Sequence, residues 1–313
     1  MAYTNTDTNM TTSEGLAPGM QAHYDRTLLE DIEPELVHLQ FGEERMLPLN
    51  KGSSVNIRKP VPIPTKVTPL NEGNPGDGVM LAETETVMTI EQYGDYARVT
   101  DKLDMTHLDI KILERVERFA DAGARSIDTV VREELAKSTN VLYAGGKTSR
   151  SDLTADDKIT SGLILDAVKI LKKNNAPRIG GYYVAIIGPD VWRELWDDEL
   201  FTKVAAYQDK ESVYTGEVGR IGGVRLVETT EAKIFEGAGS GGADVASVII
   251  VGRGAYRYTS LKGAKPRVIV KPAGSAGTAD PLEQISTVGW KMDGFGVKLL
   301  QPEYAVRIEC GIA

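Results

Sequence analysis

Residues 53–100 read SSVNIRKPVPIPTKVTPLNEGNPGDGVMLAETETVMTIEQYGDYARVT, and the architecture of the chain turns on this stretch. Val55-Asn56-Ile57-Arg58 alternates with a period of two, as a half-buried strand does. Five prolines follow, Pro60, Pro62, Pro64, Pro69 and Pro75. They remove backbone donors and fix φ, which excludes a central strand and favours an extended, partly polyproline path. Alternation resumes from about residue 84 to residue 100, with Val87, Thr89 and Gln92 opposing Met88, Ile90 and Tyr93. The pattern predicts a long two-stranded arm with a tip rich in Pro, Gly and Asn. A lone hairpin is marginal in water, so the arm needs a surface to lie on, and a second copy of the chain is the candidate.

Directly after the arm the period changes. Ile112, Val116, Phe119, Ala120, Ile127, Val130, Val131 and Leu135 recur at helical spacing, which predicts one buried stripe. Glu114, Arg115, Glu117, Arg118, Arg132 and Glu133 fall on the wet side. Thr106 and Asp109 have capping-box spacing, so the predicted rod covers residues 108–138, roughly 45 Å at 1.5 Å per residue. Gly123 in its middle costs about 1 kcal/mol against Ala and marks either a close backbone crossing or a tolerated accident. A Gly/Ser/Asp-rich connection, AGGKTSRSDLTADDK, leads to a mixed section. There a helix over 161–173 stops at NNAPRIGG, the buried strand YYVAIIG follows, a helix starts at Pro189, and strands recur at GVRLVET and DVASVIIV. The end of the chain, RVIVK, ISTVGWKMDGFGVKLL and YAVRIECG, predicts a run of antiparallel strands. Upstream, residues 16–49 carry helical signals broken by Pro34, with Leu28, Leu29, Ile32, Leu36, Val37 and Leu39 able to pack one or two short helices. The fold class is α+β.

With 313 residues the chain can bury a sizeable core. It carries 36 basic and 45 acidic residues, a formal charge of −9, so a strongly basic face for sequence-independent phosphate binding is not expected. No apolar run approaches the roughly 18 residues of a membrane helix. The first residues, MAYTNTDTNMTTSEG, have neither the basic cluster nor the apolar stretch of a secretory signal and predict a flexible polar tail. Cys310 is the single cysteine, which leaves no intrachain disulfide and no thiolate metal cluster.

The local motifs give no catalytic set. Gly237, Gly239 and Gly242 satisfy G-x-G-x-x-G spacing, but the strand-like DVASVIIV that follows predicts a strand-to-strand loop where a nucleotide site needs a helix amino terminus. Gly145-Gly146-Lys147-Thr148 resembles the end of a P-loop, yet Val141 occupies the position of the required leading glycine. His23, His38 and His107 sit in separate elements with solvated or capping roles expected. Asp156-Asp157 and Asp197-Asp198 read as turn and helix-start residues. Trp192 and Trp196, four apart, are core anchors before they are a ligand cage. No catalytic residue, cofactor or metal is therefore expected. The site candidates are charges on the arm: Arg58, Lys59 and Lys66 against Glu72, Asp77, Glu83 and Glu85. They fit a solvated face and equally fit inter-subunit contacts that set register.

Several segments carry a family likeness: YDRTLLEDIEPELVHLQFGEERMLPLNKGSSVNIRK, EQYGDYARVTDKLDMT, DTVVREELAKSTNVLYAGGKTSR, GGYYVAIIGPDVWRELWDD, GEVGRIGGVRLVETTEAKIF and GSAGTADPLEQISTVGWK. In this order, from about Met20 to Glu309, the chain resembles major capsid proteins of tailed bacteriophages, in the branch of the Hong Kong 97 fold typified by phage N-four. The resemblance implies an N-arm and leading helix over 1–50, an extended E-loop over 51–103, and a P-domain spine helix with its connection over 104–159. It implies an A-domain over 160–261 and P-domain closing strands over 262–313. It further implies hexamers and pentamers tiling an icosahedral shell around double-stranded DNA, a virion location after assembly in the host cytoplasm, and a portal protein as partner. A separate scaffolding or decoration protein would be a further partner. Covalent crosslinking, found in some members, is not assigned to residues here. Two rival readings are an encapsulin-like shell around cargo protein and a nucleotide-dependent enzyme using the Gly237 loop.

Overall fold

The computed structural model describes residues 37–48, 52–67, 69, 72–73, 78–106, 112–198, 201, 219–261, 267–275 and 280–312. Within them the chain runs through β1 (Glu43–Glu44), β2 (Ser54–Pro60), β3 (Glu83–Thr89), β4 (Glu91–Thr100), α1 (Asp101–Thr106), α2 (Ile112–Leu135) and β5 (Val141–Tyr143). It continues through α3 (Ser161–Lys173), β6 (Tyr183–Ile187), α4 (Pro189–Trp196), β7 (Arg220–Ile221), β8 (Val224–Glu228), β9 (Ile234–Phe235) and β10 (Asp244–Val251). The last elements are β11 (Tyr256–Ser260), β12 (Arg267–Lys271), β13 (Ile285–Leu299) and β14 (Ala305–Ile312). The predicted tail, the leading helical residues Leu28, Leu29, Ile32 and Leu36, His23, His107 and Asp109 lie outside the described residues.

Three sheets form among these residues. A seven-stranded sheet has the order β5-β14-β10-β6-β8-β7, with β9 beside β10. β6 pairs antiparallel with β10 and parallel with β8. Both faces of its central strands are covered: Ala185, Ile187, Val248 and Ile250 pack with α3 and α4, while Val184, Ile186, Ile249 and Val251 meet α2 and the second sheet. Double burial is why DVASVIIV is a continuous apolar run, since neither face has to meet water. Thr160 caps α3, its hydroxyl accepting from the Leu163 amide at 3.4 Å. Asn175 ends the helix in the left-handed region at φ 53°, a role Asn fills at helix ends.

The five-stranded sheet has the order β1-β11-β13-β12, with β4 also along β13. The third sheet is the β2–β3 hairpin alone. This division corrects the expected return strand over 84–100. β3 turns away at Ile90, whose amide bonds the Ser53 carbonyl at 2.9 Å, and β4 then joins β13 from Ile285↔Thr100 to Met292↔Tyr93. The run of closing antiparallel strands is corrected in the same way. β12 and β13 pair with each other, but β14 crosses to the other sheet and lies antiparallel to β10 and parallel to β5.

α2 lies on the buried face of the five-stranded sheet. Ile127, Val131 and Leu135 are buried as predicted, whereas Ala120 is exposed. A Cβ on Gly123 would sit 3.0 Å from the Trp290 ring, so the close approach is to an indole. One assignment to the wet side fails: Arg132 is largely covered and donates to the Glu231 carbonyl at 2.9 Å, whereas the Glu133 side chain stays half-exposed and receives Lys233 at 2.8 Å. Thr106 ends α1 within its helical run.

Candidate assembly surface

The β2–β3 hairpin buries little of itself. Val55, Ile57 and Lys59 are half-buried and alternate with exposed Ser54, Asn56, Arg58 and Pro60. On β3, Met88 alone is fully buried, which seats the root of the hairpin on the body. Past the hairpin the limbs 61–67 and 78–82 are extended outside any strand, because Pro60, Pro62 and Pro64 offer no amide to a ladder. They carry apolar side chains into water: Ile63 is 60% exposed, Val67 88%, Met80 93% and Leu81 81%. Isolated exposed apolar residues are ordinary, but a sustained series on an extended segment marks an interaction surface.

The charged candidates do not gather into one cluster. Arg58 stands opposite Glu85, and Pro60 opposite Glu83. Lys59 turns to its own body and reaches Glu303 at 3.4 Å, an exposed pair. Lys66 and Glu72 are exposed further out, and Asp77 lies outside the described residues. The apolar series, more than the charges, is the feature the sequence reading passed over. Its signal was present in Val79-Met80-Leu81, three apolar residues flanked by Gly78 and acidic strand.

A second surface lies on the outward face of β4, β13 and β12. Directly opposite residues share a face, so Gly94 sits with Lys291, Tyr96 with Gly289 and Ile269, and Arg98 with Thr287 and Lys271. Val288, Trp290 and Met292 point the other way into the core. The result is a groove of about 700 Å³ lined by Gly94, Tyr96, Arg98, Ile269, Lys271 and Gly289, among others. The Arg98 guanidinium lies over the Tyr96 ring, 5.5 Å from its centroid.

The buried polar groups serve the frame. Glu309 is fully buried and accepts from Arg150 Nε at 2.8 Å and Nη2 at 2.7 Å, with Arg307 Nε 2.8 Å away. Glu309 raises the pKa of Arg150 through those hydrogen bonds. Burial lowers that of Arg307 against Glu309's pull. His38 is buried and corrects the expected solvated role: its Nδ1 lies 2.7 Å from Asp128 Oδ2, and the Leu39 amide donates to Asp128 Oδ1 at 3.1 Å. The Tyr256 hydroxyl donates to the His38 carbonyl, and burial, then the Asp128 charge, push its pKa up. Burial likewise raises the Cys310 thiol, which keeps it unreactive. The Gly237 loop joins β9 to β10, a strand-to-strand link without the helix a phosphate site requires. Trp192 and Trp196 meet edge to face at 5.7 Å and pack on the core.

The family model for phage capsid protein matches residues 83–308, well over half of the chain. Among solved structures, the capsid of cyanophage P-SCSP1u superposes with a TM-score of 0.72 at 15% identity, covering 96% of each chain. The capsid of cyanophage Pam1 gives 0.72 at 12% identity, with 98% of this chain and 99% of that one covered. The capsid of Helicobacter pylori bacteriophage KHP30 gives 0.72 at 11% identity, covering 98% and 100%. No curated protein matches in sequence. The chain belongs to the phage capsid protein family and is a major capsid protein with the Hong Kong 97 fold.

Proposed function

We propose that the chain forms hexamers and pentamers that close into an icosahedral shell around double-stranded DNA, held without sequence-specific contacts, within the virion. Association, not catalysis, is its activity. Within the span 51–103, the part ahead of β4 acts as the E-loop that lies on an adjacent subunit, β4 itself belonging to the body's sheet, and residues 1–50 act as an N-arm. The spine helix and closing strands serve as a P-domain, and residues 160–261 as an A-domain around the capsomer axis. A portal protein and a separate scaffolding or decoration protein are the partners of this reading. Heterologous contacts of an arm on its neighbour close into rings when the rotation permits, which is the geometry a capsomer needs.

The observation that carries the reading is the apolar series on the arm, since Met80 and Leu81 gain a dry environment only on another surface. The test replaces Val79, Met80 and Leu81 together by Ser. The isolated subunit is expected to keep its stability within about 0.5 kcal/mol, as exposed positions do. Negative-stain electron microscopy is expected to show particles for the parent chain and none for the variant. Particles of normal yield from the variant would refute the reading.

A further inference from the structure

We propose that the seven-stranded sheet binds a phosphate group at its β7–β8 end, held between the guanidinium groups of Arg220 and Arg225 beside Tyr182. The site lies on another sheet than the arm and stands on geometry of its own.

The sequence Arg-Ile-Gly-Gly occurs twice, at residues 178–181 and 220–223. Both copies fold into the same turn. Gly180 and Gly181 have φ of 58° and 93°, and Gly222 and Gly223 have 57° and 89°, the two successive positive values of a type I′ hairpin. The first turn brings Ile179 opposite Tyr182, and the second brings Ile221 opposite Val224. Parallel pairing sets Tyr183 of β6 beside Val224 of β8, so the two turns adjoin at one end of the sheet. There the Tyr183 amide donates to the Gly223 carbonyl at 3.0 Å. Each isoleucine anchors its turn, Ile221 in the core under α3 and α4 and Ile179 against the core beneath α2. Side chains alternate along extended backbone, so Arg178 and Arg220 end on opposite faces of the sheet.

The second copy alone faces another cation. Arg220 is directly opposite Arg225, which puts both on one face, and both are exposed. Arg220 lies over the Tyr182 ring, 4.6 Å from its centroid, and donates to the Tyr182 hydroxyl at 3.1 Å. Those contacts hold its guanidinium in place. Like charges directly opposite destabilise a strand pair, and nothing beside these two offsets them. Elsewhere Arg150, Arg193, Arg257 and Arg267 each meet a carboxylate at 2.6–2.8 Å. Among the described residues Arg220 and Arg225 have none within ion-pair distance, in a chain with 45 acidic residues against 36 basic ones. A bound anion removes the repulsion. Two planar forks side by side suit an oxyanion with several acceptor atoms, as a phosphate has. A Cβ on Gly223 would meet nothing within 4 Å, so the turn leaves the approach open. Arg178 is the contrast within the molecule: it leans on the Tyr183 ring at 5.7 Å and has no arginine across its turn. The phosphate can come from a nucleic-acid backbone or from the free ion, and the clamp is the same for both.

The experiment titrates the full-length chain at matched ionic strength with two probes. Inorganic phosphate is followed by phosphorus NMR line broadening, and a fluorescent DNA duplex by anisotropy. Phosphate is expected to broaden with the parent chain and, at least tenfold more weakly, with Arg225→Gln, which leaves the Arg220–Tyr182 contact in place. Arg178→Gln is expected to match the parent. In chloride alone Arg225→Gln is expected to melt no lower than the parent, because a like-charge pair is gone. Duplex binding that weakens in Arg225→Gln, with the slope of log affinity against log salt smaller by about one, assigns the site to backbone phosphates. A phosphate response without duplex binding supports the site and assigns it to the free ion. Absence of both responses in the parent overturns the site, and so does binding that Arg225→Gln leaves unchanged. An equal loss in Arg178→Gln overturns it too, since a diffuse field and not the facing pair would then be the cause. Polyglutamate that binds where neither phosphate probe does overturns it in favour of an acidic peptide.

Discussion

Glu309 shows what a single residue does in this frame. Its carboxylate has no solvent access and lies between two guanidinium groups. Breaking a buried pair by removing one member leaves an uncompensated charge, at about 3–5 kcal/mol. Glu309→Gln should therefore lower unfolding stability by that order in urea titration. Arg150→Gln should lower it less, because the Arg150 side chain is partly exposed and Arg307 still balances the carboxylate. Equal losses would contradict the account. Glu134 gives the pH dependence. Burial alone would raise its pKa, but hydrogen bonds from Lys137, Lys298 and the Leu299 amide outweigh it and hold it below the ordinary 4.5. The folded state thus binds the proton less tightly than the unfolded state. Its stabilising contribution is complete above the ordinary value and is lost as pH falls through the lowered one. Glu134→Gln should flatten the acid side of a plot of Tm against pH, and an unchanged slope would count against the role. Neither site was legible beforehand. Glu309 meets Arg150 across 159 residues of sequence and His38 meets Asp128 across 90, and no local spacing encodes such pairings.

Among the elements, the hairpin and the helix were legible and their ends were not. Period-two alternation identified β2 and β3 because one face rests on the body through Val55, Ile57 and Met88. The same alternation runs on through Ile90 into β4, so nothing in the pattern reveals that the second half belongs to another sheet. The destination of β14 was equally hidden: alternation and apolar content describe a strand, not its neighbours. Gly123 was read as an open choice, and the structure decides it by placing the Trp290 ring over that turn of α2. Gly123→Leu should overpack the contact and cost about 1–3 kcal/mol in thermal unfolding, well beyond any gain in helix propensity. A neutral result would mean that α2 does not lie on Trp290.

At the scale of the whole molecule, two cores form within the body while the outer limbs of the arm, 61–67 and 78–82, keep their apolar residues in water. Burial thus separates a part with cores of its own from limbs without one. The shell role was legible because segments spread along the chain resemble capsid proteins, and the family match over 83–308 bears that out. The groove was not, since it joins β4 to β12 and β13, which follow much later in the chain. The most direct measurement removes residues 60–77 and follows the product by circular dichroism and negative-stain electron microscopy. The account predicts a folded, soluble subunit with the parent's melting profile and no shells. Closed shells from the armless chain would contradict it.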